Sequence, residues 1–270
     1  MSLPSLFVEG IALWAPTLPG WDTAAPALRG EGRAVDPPAA RPSPELLPAA
    51  ERRRAPDSVA LSLEVAARAV AQSGRAPSDL LSVFTSAHGD LAITDYVCST
   101  LARAPWSMSP TRFHNSVHNA ASGYWGIATG CMQASTAVSA FECSFAAGLL
   151  EAWTQAAADA GPVLLVGCDV TATGALASTN DSRGLLAVAL VLAPQRGPHA
   201  LARLDAMLVP GATERIPLRS EAALPLAGNA MADALPLFET LAGGAPEVLT
   251  LPLSAMLGLR VQVCACRDRG

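Results

Sequence analysis

Lysine is absent: all 18 basic residues among the 270 are arginine. That removes Schiff-base chemistry, the phosphate-loop lysine and lysine-assisted mechanisms together. Charge of either sign is scarce, at 15% of residues against about a quarter in an ordinary soluble domain, while 51% are apolar and the mean hydropathy is +0.32. A chain of this length can bury a core, but it has little polar surface with which to cover an isolated globule. A large buried interface with another subunit is therefore expected. No arginine run is longer than Arg52-Arg53-Arg54 and the formal net charge is −5, which argues against nucleic acid as a partner.

Paired cysteines are also missing. Cys98, Cys131, Cys143, Cys168, Cys264 and Cys266 lie in apolar segments without Cys-x-x-Cys spacing, so no zinc site or disulfide scaffold is indicated and reduced, buried thiols are expected. His114 and His118 stand four apart, as two ligands on one helix face would, but no third ligand accompanies them and no metal or cofactor is implied. Residues 1–10 lack a basic region followed by a long apolar stretch, and the longest apolar run, 185–193, is too short to span a bilayer. A soluble, cytoplasmic protein is expected.

What is present is an alternation of strand and helix patterns. Residues 6–14 read as an opening strand, and 15–50 as a proline-rich surface excursion without regular structure. Val59, Leu63, Ala66, Ala67 and Val70 mark one face of a helix capped by Asp57 or Ser58 and ended by Gly74. Strand patterns follow at 80–87, 136–141 and 162–168, with helical patterns at 90–102, 117–129 and 143–158. The run 162–168 is apolar throughout, as in a strand buried on both faces. Residues 184–192 and 201–208 read as consecutive strands with a hairpin-like connection, 230–241 as a helix and 259–264 as a last strand. The fold class is α/β: a mostly parallel sheet covered by helices.

The strongest chemical signal is the stretch Ser135 to Gly148, where a small-residue strand runs directly into a helix start. Backbone N–H groups and the positive helix end at such an elbow stabilise anions, and nucleophilic cysteines use this location; a tight packing joint needs the same small residues. The stretch His118-Asn-Ala-Ala-Ser-Gly-Tyr-Trp-Gly-Ile-Ala-Thr-Gly130, then Ala137-Val-Ser-Ala-Phe-Glu-Cys143, then Leu164-Leu-Val-Gly-Cys-Asp169, resembles the N-terminal half of β-ketoacyl synthases of the thiolase fold. The likeness covers about 61–194. It implies one ketosynthase-like domain over 1–270, with an N-terminal-like core at 55–194 and a shortened C-terminal half at 195–270.

In that family the elbow reads Ala-Val-Ser-Thr-Ala-Cys, the last residue taking the acyl chain from an acyl carrier protein. Without gaps, that position falls on Glu142. A carboxylate cannot replace the thiolate, because a mixed anhydride hydrolyses far more readily than a thioester. A slip of one residue would instead make Cys143 the nucleophile of an autonomous acyltransferase. One step along a helix turns a side chain by about 100°, so the two cannot face the same pocket, and the phase of Ala137-Val138-Ser139 favours Glu142. The family's site is completed by histidines on His-Gly-Thr and Gly-His motifs. Neither motif is in the sequence, and no histidine follows His199.

The resemblance extends to truncated chain length factors of bacterial aryl polyene and xanthomonadin-like pigment biosynthesis. It implies a non-catalytic subunit paired with an active ketosynthase that elongates a polyene on acyl carrier protein; a purely structural scaffold is the other reading. It also implies that Phe113, His114 and Asn115 lie in a loop crossing the dimer interface, with Phe113 at the tunnel bottom. Tyr124, Trp125, Thr136, Val138 and Phe141 are the further tunnel or interface candidates, the strand 136–141 pairing with its counterpart across two subunits.

Overall fold

The computed structural model describes residues 2–179, 181–211 and 214–266. In chain order the elements are β1 (Leu6–Ala15), β2 (Leu18–Pro19), α1 (Trp21–Leu28), α2 (Ala49–Arg54), α3 (Asp57–Ser73), β3 (Leu81–Thr85), α4 (Leu91–Arg103), α5 (Pro110–His114), α6 (Ala120–Thr129) and β4 (Ser135–Val138). Then come α7 (Ser144–Asp159), β5 (Val163–Asp169), β6 (Leu186–Ala193), β7 (Ala202–Pro210), α8 (Leu235–Gly243), β8 (Glu247–Ser254) and β9 (Leu257–Ala265).

One mixed sheet runs β4-β3-β5-β6-β1-β7-β9-β8, with β2 paired onto β1. β3 is parallel to β4 and β5, while β6 lies antiparallel between β5 and β1. The α/β class holds, but the sheet is mixed rather than mostly parallel: only the β3–β4 and β3–β5 pairs are parallel, because β6 inserts antiparallel beside β5 and the extension β7-β9-β8 is antiparallel throughout. The two faces are covered separately. Val163 and Leu165 point to a core built with α1, α7 and α8, and Leu164 and Val166 to one built with α3 and α6. The uninterrupted apolar run of β5 follows from burial on both faces.

β1 shows how the two layers are held in register. Leu6 and Val8 face the α7 side, and Ile11, Leu13 and Ala15 do so again after a bulge between Val8 and Gly10 shifts the alternation by one. The bulge brings Gly10 against α3 so closely that a Cβ there would stand 2.0 Å from the carbonyl oxygen of Ala69. Glu9, buried beside it, pairs with Arg75, and the backbone N–H of Ile11 donates to Gln72 Oε1 at 2.6 Å.

Several expectations are corrected. The proline-rich excursion holds β2 and α1, and Ala24, Ala27 and Leu28 are core residues: apolar spacing on one helix face outweighs Pro26 within it. The strands at 186–193 and 202–210 form no hairpin, because each pairs with a different edge of β1. The helix expected from 117 begins at Ala120, and the strand expected to reach 141 ends at Val138. α3 begins after Pro56 without a side-chain cap; Asp57 pairs with Arg41 and Ser58 with Asp90. No helix among the described residues is long and apolar enough to cross a membrane.

Candidate functional site at the strand carboxyl ends

The parallel strands β3, β4 and β5 end together, the place where open α/β sheets gather functional groups. After β4 the chain turns sharply through Ala140–Cys143 into α7. Phe141 is held at φ 54°, a left-handed conformation rare for a bulky side chain, and Ser144 clasps the turn. Its hydroxyl donates to the carbonyl of Phe141 at 2.7 Å and accepts from the N–H of Ala140 at 3.0 Å. The clasp fixes the phase in which positions 142 and 143 leave the turn.

That phase separates the two candidate residues. Glu142 lines a cavity of about 330 Å³ together with His88, Phe141, Ser178, Arg215 and Asn229, while Cys143 is not on its wall. The Glu142 carboxylate lies 3.4 Å from the guanidinium of Arg215, both side chains well exposed. The Cys143 thiol is pushed up by burial and then by the carboxylate of Asp233, against a smaller lowering by Arg215. A thiol so placed is less often a thiolate, and so a weaker nucleophile, than a free cysteine.

Two carboxylates lie beneath the turn. Asp169, at the end of β5, accepts hydrogen bonds from the Ser86 hydroxyl and from the backbone N–H of Ala87 at 3.0 Å. Burial raises its carboxyl above the usual range, with these donors and nearby His88 and His118 opposing the rise. Asp233 sits in the 3-10 turn Ala230–Ala234, and its Oδ2 accepts from the N–H of Phe145 at 3.2 Å. Burial is the main cause raising Asp233 to about 7. The sign follows: a carboxyl whose folded value exceeds its unfolded value adds stability that is complete below the unfolded value and is lost as pH rises through about 7. The melting temperature of the wild type is expected to fall from roughly pH 5 to pH 8 more steeply than that of Asp233→Asn. Calorimetry across that range checks it.

The other candidates fall into two groups. Phe113 and His114 end α5 rather than lying in a loop, Ser109 capping that helix from its side chain. Phe113 is 60% exposed, and His114 meets Tyr124 edge to face. Thr136 and Val138 are half-buried on β4, where Thr136 Oγ1 accepts from Gln155. Trp125 belongs to the other group: it is buried against α3 in the second core and reaches no surface, because α6 turns its apolar face inward there. His114 and His118 do not share a helix, since α5 ends at the first; among the described residues no three metal-ligating side chains converge. Asp233, Arg215 and Asn229 were not foreseen, being joined to the elbow only by long-range folding.

β4 is an edge strand. Its neighbour on one side is β3; among the described residues no strand pairs with its other side. Met132 (94% exposed) precedes β4 and Phe141 follows it, both exposed, and α6, which packs against β4, carries exposed Ile127 (83%); Trp106, Phe113 and Val117 are exposed elsewhere on the chain.

Residues 27–232 match the family model for the β-ketoacyl synthase N-terminal domain. No curated protein sequence matches. Among solved structures, the chain is similar to a chain of the ketosynthase ApeO in complex with its chain length factor ApeC from Xenorhabdus doucetiae (TM-score 0.72, 22% identity, covering 96% of this chain and 99% of that one). It is also similar to the ishigamide ketosynthase/chain length factor (0.69, 13%, 97% and 99%). A third likeness is to a chain of AntDE:AntF, described as a type II polyketide synthase acyl-carrier protein in complex with its ketosynthase (0.71, 12%, 97% and 99%).

Proposed function

Because the chain belongs to the β-ketoacyl synthase N-terminal-domain family, we propose that it is a chain length factor: an accessory subunit that pairs with a catalytic ketosynthase and shapes its acyl tunnel. The observation that carries this reading is that Glu142, not Cys143, faces the elbow cavity. A carboxylate there leaves the subunit without a thioester acceptor, so condensation belongs to the partner. Of the histidines, only His88 lines the cavity.

The open edge of β4 and the apolar surface around it support pairing. An unpaired small-residue strand flanked by exposed Met132 and Phe141, with exposed Ile127 on the helix packed against it, is an aggregation hazard on its own and a natural seam in a heterodimer. The partner is an active ketosynthase, and the substrate class is a growing polyene of aryl polyene type held as a thioester on acyl carrier protein. Phe113, exposed at the end of α5, closes the far end of the partner's tunnel. A chain that no longer fits beneath it stops growing.

Substituting Phe113 in the reconstituted pair tests the assignment. Phe113→Ala is expected to lengthen the product by about one two-carbon unit and Phe113→Trp to shorten it, measured by mass spectrometry of carrier-bound intermediates. An unchanged distribution in both variants would leave this subunit a scaffold.

A further inference from the structure

We propose that Asp233 disables the elbow independently of Glu142, by fixing a carboxylate at the positive end of α7, so that no thiol in this turn can act as an acyl acceptor. The proposal rests on the accessory-subunit reading above and names the residue that enforces it. An elbow activates a thiol through the free N–H groups of the helix that follows, which favour the thiolate and the developing oxyanion. In this chain one of those groups is already engaged, as are two in the turn before the helix. The N–H of Phe145 donates to Asp233 Oδ2 at 3.2 Å, that of Ala140 to the Ser144 hydroxyl at 3.0 Å, and that of Cys143 to the carbonyl of Ala140 at 3.0 Å.

Asp233 reaches this place from 88 residues away and is held there firmly. Asn229 pins the start of its turn, donating to the carbonyls of Asp169 at 3.1 Å and Arg183 at 3.1 Å while its Oδ1 accepts from the N–H of Met231 at 2.9 Å. Met231, fully buried, lies on Gly167, where a Cβ would approach its sulfur to 2.7 Å. The second oxygen of Asp233 is closed off from solvent without a hydrogen-bond partner, and burial raises the carboxyl to about 7, so its charge is largely present at pH 8. The charged and titratable groups acting on this corner are Asp169 at the end of β5, Arg215, and Glu142 and Cys143 in the turn itself. Burial and Asp233 are the two largest influences that hold the Cys143 thiol up, and Arg215 only partly opposes them. The consequence is that the native Cys143 stays a thiol beside a partner that handles thioesters, and captures none of them.

The test is the pH profile of iodoacetamide alkylation of the full-length chain, each cysteine read separately by peptide mass, in the wild type and in Asp233→Asn. The asparagine keeps an oxygen to accept from Phe145 and removes only the charge. Cys143 is expected to react about tenfold faster at pH 8 in the variant, its profile displaced to lower pH, while exposed Cys98 is unchanged. Coincident Cys143 profiles in the two proteins would overturn the proposal. Asp233→Ser, smaller and neutral, gives the same readout should the amide fail to fold. Failure here leaves the chain-length reading intact, since that is decided by product length in the Phe113 variants.

Discussion

Replacing Ala137 with proline is expected to leave the subunit folded and to abolish its pairing with a ketosynthase. In the β3–β4 ladder the carbonyls of Ala134 and Val138 accept from the N–H groups of Ser82 and Ser86, so the even-numbered residues of this stretch face inward. The N–H and C=O of Ala137 therefore point to the open edge. Proline at 137 removes an outward donor and no inward one, and its ring stands where a partner strand would lie. Circular dichroism should be unchanged, while affinity for the partner falls by roughly a hundredfold or more, from lost ladder bonds and direct obstruction. Titration calorimetry or analytical ultracentrifugation reads the loss. Wild-type affinity in the variant would mean that β4 is not the seam.

Gly10→Ala is expected to destabilise the fold by about 3 kcal/mol, on the order of 10 °C in melting temperature. The added methyl would meet the Ala69 carbonyl at 2.0 Å. Neither side can yield easily: Ala69 is backbone within α3, and Gly10 sits at a bulge secured by the Glu9–Arg75 pair and the Ile11–Gln72 bond. Relaxation would separate α3 from the sheet. Urea unfolding of the monomer measures it, and a change below about 1 kcal/mol would show that this approach is not tight.

Much of this architecture is legible along the chain where local pattern and global packing agree. The apolar run of β5 announces a strand covered on both faces, and the small residues before α7 announce a turn over which a pocket opens. Ala137-Val138-Ser139 sets the expected elbow phase within six residues of Glu142, and Glu142 lines the cavity there. Legibility fails where contacts are distant or where one signal masks another. The proline count over 15–50 hides α1, whose Ala24, Ala27 and Leu28 are buried. Pro252, at a bulge on the outer strand, hides β8, since proline is tolerated there but reads as a break. Adjacent strand patterns suggest a hairpin for β6 and β7, yet β1 lies between them. Trp125 is an aromatic in a helix, and only packing against α3 distinguishes core from interface. Asp233 has no local signature, because its role exists only once its turn docks on α7.

On the chain-length-factor reading, this subunit accompanies condensation without carrying the acyl chain. The most direct test of that reading is intact mass spectrometry of the co-purified heterodimer after incubation with an acyl carrier protein thioester. The acyl adduct is predicted on the ketosynthase partner alone, with this chain at its unmodified mass in the wild type and in Cys143→Ala. An adduct on this chain that disappears in Cys143→Ala would contradict the account.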